Sequence, residues 1–231
     1  MFHQRVSVLA RHLRCGVSND HNSTFKQATT PLSSPCASTT GSLTVCFCTH
    51  EGGPHVQSYL DGMRDTVEVA QVALSDPTGH WVQAARDTLG DKLTSLHTDP
   101  EEMIAELRPD CAIVAYEAVL APPVVRAALE GGCHVLAEKP ACVSIEAIDE
   151  LVALAAKTQR KLMLAFANRV RPEVQKAREL VTTGALGKIY ALEMHTIADQ
   201  KRLTAPEYWE RWYEPSNHRS SCDCTSVDPL A

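Results

Sequence analysis

From Leu43 onward, short apolar runs alternate with amphipathic stretches. Leu43-Thr44-Val45-Cys46-Phe47-Cys48 is almost continuously apolar, as suits a strand covered on both faces. Gly52-Gly53-Pro54 marks a turn, and the spacing after it predicts a helix over 55–63. A second strand is predicted over 67–74, stopped by Ser75-Asp76-Pro77, with a helix over 80–89 after it. Asp99-Pro100-Glu101-Glu102 opens another helix, which runs to about Leu107. Asp99 can accept from free amides, Pro100 suits the first helical position, and Glu102 can reach back.

Cys111-Ala112-Ile113-Val114-Ala115-Tyr116 reads as a strand. Pro122-Pro123 opens a short helix and Gly131-Gly132 closes it. A strand ending at Glu138 follows, then a helix over 144–157 with Ile148, Leu151, Val152 and Ala155 on one face. Further on, the pattern predicts a strand over 162–166, a helix over 172–183 ended by Gly184, and a strand over 189–197. Strands alternating with helices over roughly 100 residues predict an α/β fold, a doubly wound parallel sheet with right-handed crossovers.

The 231 residues can hold one large domain, or one domain and part of a second. A net charge of −6 argues against broad nucleic-acid binding, which needs a basic face. No apolar run reaches the roughly 18 residues that span a bilayer. The nine cysteines are scattered, and Cys46, Cys111 and Cys133 lie inside apolar runs. That suits buried free thiols in a reducing compartment better than a disulfide framework, so the expected location is cytoplasmic. His218 and Cys222-Asp223-Cys224 are conceivable metal ligands, but the short spacing lacks a matching second pair. Residues 1–42 carry Arg5, Arg11, Arg14 and Lys26 against one acid, Asp20, and are rich in Ser and Thr. They read as a disordered extension or misplaced start, or as a transit peptide addressed to a mitochondrion or other organelle.

Two places carry candidate chemistry. The first is Glu138-Lys139-Pro140 at a strand end, the edge where parallel sheets bind ligands. The pair there is either a site or an ordinary surface ion pair. The second is the turn after the first strand, where a dinucleotide would rest its phosphates. The spacing of a G-x-G-x-x-G fingerprint falls on Cys48, His50 and Gly53, so only the third glycine is present, with Gly52 beside it. Side chains at 48 and 50 would block a pyrophosphate, or the amides near Gly52 and Gly53 would hold it in a shifted loop. Asp76 ends the second strand, where an acid accepts from adenosine ribose hydroxyls and disfavours a 2′-phosphate. Its alternative role is to cap the turn Asp76-Pro77-Thr78-Gly79.

The stretch from Ala128 through Glu130-Gly131-Gly132-Cys133-His134-Val135-Leu136-Ala137-Glu138-Lys139-Pro140 resembles the "aleaGkhVlcEKP" phrase of the Gfo/Idh/MocA oxidoreductases. Phe166-Ala167-Asn168-Arg169 with Pro172 resembles that family's "f-x-x-R-x-x-P" segment. Leu180 through Gly184 to Gly187-Lys188-Ile189 is similar to its "li-x-x-G-x-iGki". The resemblance implies a Rossmann NAD(P)-binding domain over 43–168 and, over 169–231, an incomplete α/β substrate and dimerisation domain with an atypical tail. It implies hydride transfer at a hydroxyl-bearing carbon of a small sugar-like or cyclitol substrate, with NAD or NADP as cofactor. NAD is favoured by Asp76. Lys139 matches the catalytic lysine; Glu138 and Arg169 match residues beside the cofactor. Lys139 would stabilise a developing alkoxide, or relay a proton if burial lowered its pKa. Homo-oligomers would form through the second domain's open sheet.

Three departures accompany the match. The glycine fingerprint is degraded. Tyr116-Glu117-Ala118 stands where the family has a proline-asparagine turn, which puts Glu117 on the nicotinamide side. The downstream "GGG-x-x-x-D-x-G-x-H-x-x-D" segment has no counterpart after Tyr213. These departures keep open a non-catalytic dinucleotide-binding or partner-binding module, or an inactive truncated product.

Overall fold

The computed structural model describes residues 42–193 and 195. Its apolar runs form β1 (Leu43–Thr49), β2 (Val69–Ser75), β3 (Leu93–His97), β4 (Cys111–Ala115), β5 (His134–Ala137) and β6 (Leu162–Leu164). Every neighbouring pair is parallel, and the spatial order is β3-β2-β1-β4-β5-β6. The chain thus builds outward from β1 to one edge, returns, and builds outward through β4 to the other. The order reverses between β1 and β4, and that crevice is where doubly wound sheets bind ligands. The expected fold class is the one observed.

Helices cover both faces. They are α1 (Val56–Asp65), α2 (Val82–Leu89), α3 (Pro100–Leu107), α4 (Ala121–Glu130), α5 (Ile145–Lys157) and α6 (Pro172–Thr182). Alternate residues of β1 point to opposite faces. Val45 and Phe47 meet Tyr59, Leu60 and Met63 of α1. Cys46 and Cys48 join the layer that holds Met103, Val125 and Leu129 of α3 and α4. With both faces buried, the central strands carry almost no polar side chains.

Caps set the helix starts. Asp99 Oδ1 accepts from the Glu101 and Glu102 amides at 2.7 and 3.0 Å, and Ser144 Oγ accepts from Ala147 N–H at 3.1 Å. Lys92 Nζ donates to the carbonyls of Met63, Arg64 and Thr66, closing the C-terminus of α1 with a cation. Gly132 turns the chain from α4 into β5 at φ +85°, where a side chain would be strained.

Two sequence expectations are corrected, and one strand has no forerunner in the sequence pattern. β3 had no apolar run to announce it, because Leu93-Thr94-Ser95-Leu96-His97 is an edge strand, paired only with β2 and half-buried. Val152 is 56% exposed, since α5 turns Leu151, Leu154 and Ala155 inward instead. Residues 189–193 form no strand, and Ile189, Tyr190 and Leu192 are exposed. A strand exists by pairing, and among the described residues none follows β6. The remainder of that predicted strand, the extension 1–41, and His218, Cys222, Asp223 and Cys224 lie outside the described residues.

Candidate active site

The carboxyl ends of β1, β2, β4 and β5 bring the sequence-predicted residues to one edge of the sheet. Glu138 follows β5 and is 1% exposed. A buried carboxylate needs compensation. Tyr59 Oη donates to Glu138 Oε1 at 2.6 Å, and the Lys139 amide donates to Oε2 at 3.0 Å. Glu138 therefore ties α1 to the end of β5 and fixes the backbone that presents Lys139. Lys139 itself is exposed, and the Lys139–Pro140 peptide is cis. Its side chain lines a cavity of about 240 Å³ with Ala165, Phe166, Ala167 and Asn168. Phe166 is 50% exposed there, an apolar wall beside a cation. Arg169 is exposed on the same short 3-10 turn (Ala167–Val170), but the cavity is lined by its neighbour Asn168.

Asp76 is buried, and both of its oxygens are engaged. Oδ1 accepts from the Thr78 amide and hydroxyl at 3.0 and 2.7 Å, and Oδ2 accepts from the Trp81 amide at 2.7 Å. It organises the turn between β2 and α2.

At β1, Gly53 is a packing glycine. A Cβ there would lie 2.1 Å from Thr49 Oγ1 and 2.8 Å from the Ala115 carbonyl. Only glycine lets the loop approach β4 so closely. The Gly52 amide donates to His50 Nδ1 at 3.2 Å, and the Gly53 amide donates to the His50 carbonyl at 2.8 Å. The same carbonyl accepts from Trp81 Nε1 at 3.0 Å. His50 Nε2 pairs with Glu117 Oε2 across the crevice, and the imidazole packs on Tyr116 with ring centroids 4.7 Å apart. Burial, ahead of the nearby acids, raises the Tyr116 phenol above its ordinary pKa.

The structure thus joins Gly52, Gly53 and Glu117 through His50, and gathers Glu138 and Lys139 through Tyr59. Asp76 meets the first group through Trp81, which donates its amide to Asp76 and its Nε1 to the His50 carbonyl, whereas Arg169 stands apart from both groups. In the sequence His50 reads only as an obstacle in the fingerprint. Its partner is 67 residues away, so no local spacing announces the pair. Tyr59 carried no signal beyond its place on a helix.

Within β1, Cys46 and Cys48 are buried free thiols. Burial pushes Cys46 up to about 12, so it stays protonated and acts as core. Among the described residues no group of three or more His, Cys, Asp or Glu could hold a metal, and no helix is long and apolar enough to cross a membrane.

Lys139 and the cavity it lines lie at the carboxyl end of the sheet, where doubly wound folds bind ligands. The loop after β1 does not offer its Gly52 and Gly53 amides to phosphate as it stands.

Comparison with known proteins agrees with this geometry. A family model described as an oxidoreductase family with an NAD-binding Rossmann fold matches residues 49–166, just over half of the chain. D-glucoside 3-dehydrogenase of Escherichia coli (strain K12) is 34% identical over 125 residues, covering 52% of this chain and 33% of that protein. The scyllo-inositol dehydrogenase of Lactobacillus casei, solved with bound cofactor NAD(H) and scyllo-inositol, superposes with a TM-score of 0.57 at 20% identity. That match covers 63% of this chain and 42% of the other. The myo-inositol 2-dehydrogenase of Lactobacillus plantarum gives 0.53 at 20% identity over 64% of this chain and 43% of that one. At such identities these structures share the fold. The chain spans about a third of the length of the D-glucoside 3-dehydrogenase it matches. On the family match and the sheet order together, this chain belongs to the Gfo/Idh/MocA oxidoreductase family, through its NAD-binding Rossmann domain.

Proposed function

We propose that this chain forms the cofactor-binding part of an NAD(P)-dependent dehydrogenase acting on a hydroxyl-bearing carbon of a small sugar-like or cyclitol substrate. The observation that carries this reading is Lys139, an exposed cation set in a cavity at the carboxyl ends of β5 and β6. The names of the relatives, a glucoside dehydrogenase and two inositol dehydrogenases, support the substrate class. The nicotinamide group, when bound, supplies the hydride acceptor or donor. As a cation, Lys139 would stabilise the negative charge that develops on the substrate oxygen. Glu138 keeps the Lys139 backbone in place, and Phe166 excludes water from one wall of the cavity. Arg169, next to the cavity-lining Asn168, would add positive charge near the cofactor.

NAD is the favoured cofactor. The Asp76 carboxylate at the end of β2 would repel a 2′-phosphate, and three donors leave a carboxylate room for one ribose hydroxyl. Glu117 faces the nicotinamide side of the crevice. The five free cysteines among the described residues support a reducing, cytoplasmic compartment. Homo-oligomerisation belongs to the same reading, and sedimentation tests it.

A second reading, a dinucleotide-binding module without turnover, is favoured by the engagement of the Gly52 and Gly53 amides with His50. Calorimetric titration with NAD+, NADH, NADP+ and NADPH, then turnover on glucosides and inositols, separates the two. Binding with turnover that Lys139→Ala abolishes supports the dehydrogenase. Binding without turnover selects the module. Absence of binding for all four nucleotides sinks both.

A further inference from the structure

The loop after β1 disagrees with the ligand expected over it, and the disagreement has a specific cause. His50 is the first residue beyond β1, and Glu117 is the second beyond β4. β1 and β4 pair in parallel with Thr49 opposite Ala115, so the two loops leave the sheet side by side. His50 and Glu117 bridge them across the crevice, with side chains only 17% and 5% exposed.

The hydrogen bonds settle the tautomer. Nδ1 of His50 accepts from the Gly52 amide, so the proton of the neutral ring lies on Nε2 and is donated to Glu117. Both ring nitrogens are engaged, so the imidazole is not placed to exchange a proton with a substrate. What the ring does is hold the loop. It takes the Gly52 amide, stacks on Tyr116, and hangs from a carbonyl already fixed by Gly53 and Trp81. An anion entering the crevice meets one amide turned to the ring and a buried carboxylate of its own sign.

We infer that His50 and Glu117 are affinity-determining residues of the dinucleotide cleft, a clasp between the β1 and β4 loops that competes with the cofactor pyrophosphate. The inference rests on the dinucleotide reading above. The clasped state binds poorly, and the apparent affinity equals the intrinsic affinity scaled by the fraction unclasped. His50→Gly removes the ring and releases the Gly52 amide. Glu117→Ala releases the ring and removes the opposing charge.

The test is calorimetric titration of NAD+ and NADH into the wild type, His50→Gly, Glu117→Ala and the double variant, with thermal unfolding to verify folding. Each single variant is expected to tighten binding about tenfold, the effect of losing one competing hydrogen bond. The double variant is expected to bind no tighter than Glu117→Ala, which already opens the clasp and removes the opposing charge. Should either of these variants fail to fold, Glu117→Gln keeps the shape, removes the charge and is still expected to tighten binding. In the ligand-free protein, hydrogen exchange at the Gly52 amide should accelerate in His50→Gly. Unchanged or weaker binding in folded variants overturns the clasp and leaves the dinucleotide reading standing. No binding by any form overturns both.

Discussion

The carboxyl edge of this sheet has two corners built to opposite ends. At β5, a buried acid satisfied by Tyr59 holds the backbone still while Lys139 projects into an open cavity. At β1, the same economy of hydrogen bonds turns inward: His50 engages the Gly52 amide, its own carbonyl takes Gly53 and Trp81, and Glu117 closes the pair. Both corners satisfy their buried polar groups, as they must. The difference is where the remaining polarity points. One corner leaves its charge available to a ligand, and the other consumes it within the fold. A chemical residue in place therefore says little about whether the cofactor's seat is ready.

The largest effect expected from breaking this contrast is at Lys139. In a form of the protein that turns over, Lys139→Ala should lower kcat about 10²- to 10³-fold, the range for losing one group that stabilises a developing oxyanion. Because the side chain is exposed, urea unfolding should move by no more than about 0.5 kcal/mol. A large loss of stability would mean that Lys139 belongs to the scaffold after all. Next in size is Gly53→Ala at the closed corner. The added carbon meets Thr49 Oγ1 and the Ala115 carbonyl well inside contact distance, so a destabilisation of about 3 kcal/mol is expected. An unchanged urea midpoint would show that the loop opens easily, and would weaken the contrast.

How much of this the sequence disclosed depends on how local each signal is. β1, β4 and β5 are legible because burial on both faces makes them almost continuously apolar. β3 is not, since an edge strand with one neighbour needs no such run. Asp99 caps as its local spacing suggests. Glu138-Lys139-Pro140 is legible as a site because it sits beside its own strand. The His50–Glu117 pair is not, because it exists only once β4 has been laid next to β1. Asp76 shows the limit from the other side. Its position allowed a ribose contact or a turn cap, and its three hydrogen bonds are those of the turn.

A smaller effect sharpens the open corner. Tyr59→Phe removes the hydroxyl that donates to Glu138 Oε1 and leaves a buried carboxylate short of one partner. The expected destabilisation is about 2 kcal/mol by urea unfolding, the range for a hydrogen bond to a charged group. If Glu138 is the support of Lys139, kcat should fall in the same variant while cofactor affinity holds. A loss of stability with full kcat would separate the scaffold from the site.

The smallest effect belongs to the opposite edge and serves as a control on both corners. His134 opens β5, and its Nδ1 accepts from the Lys161 amide at 3.0 Å, joining the last two strands. Burial, then the nearby Arg160 and Lys161 charges, lowers its pKa below the ordinary 6.5. Below about 6.5 the unfolded chain takes up a proton that the folded chain refuses, so the unfolded state binds more protons. Stability is then fully present above that value and is lost as the pH falls toward and through the lower folded pKa. His134→Asn keeps an acceptor near the Lys161 amide and removes the titration. Thermal unfolding between pH 7 and 5.5 should therefore fall less steeply in His134→Asn than in the wild type. Equal slopes would place the acid sensitivity elsewhere in the fold.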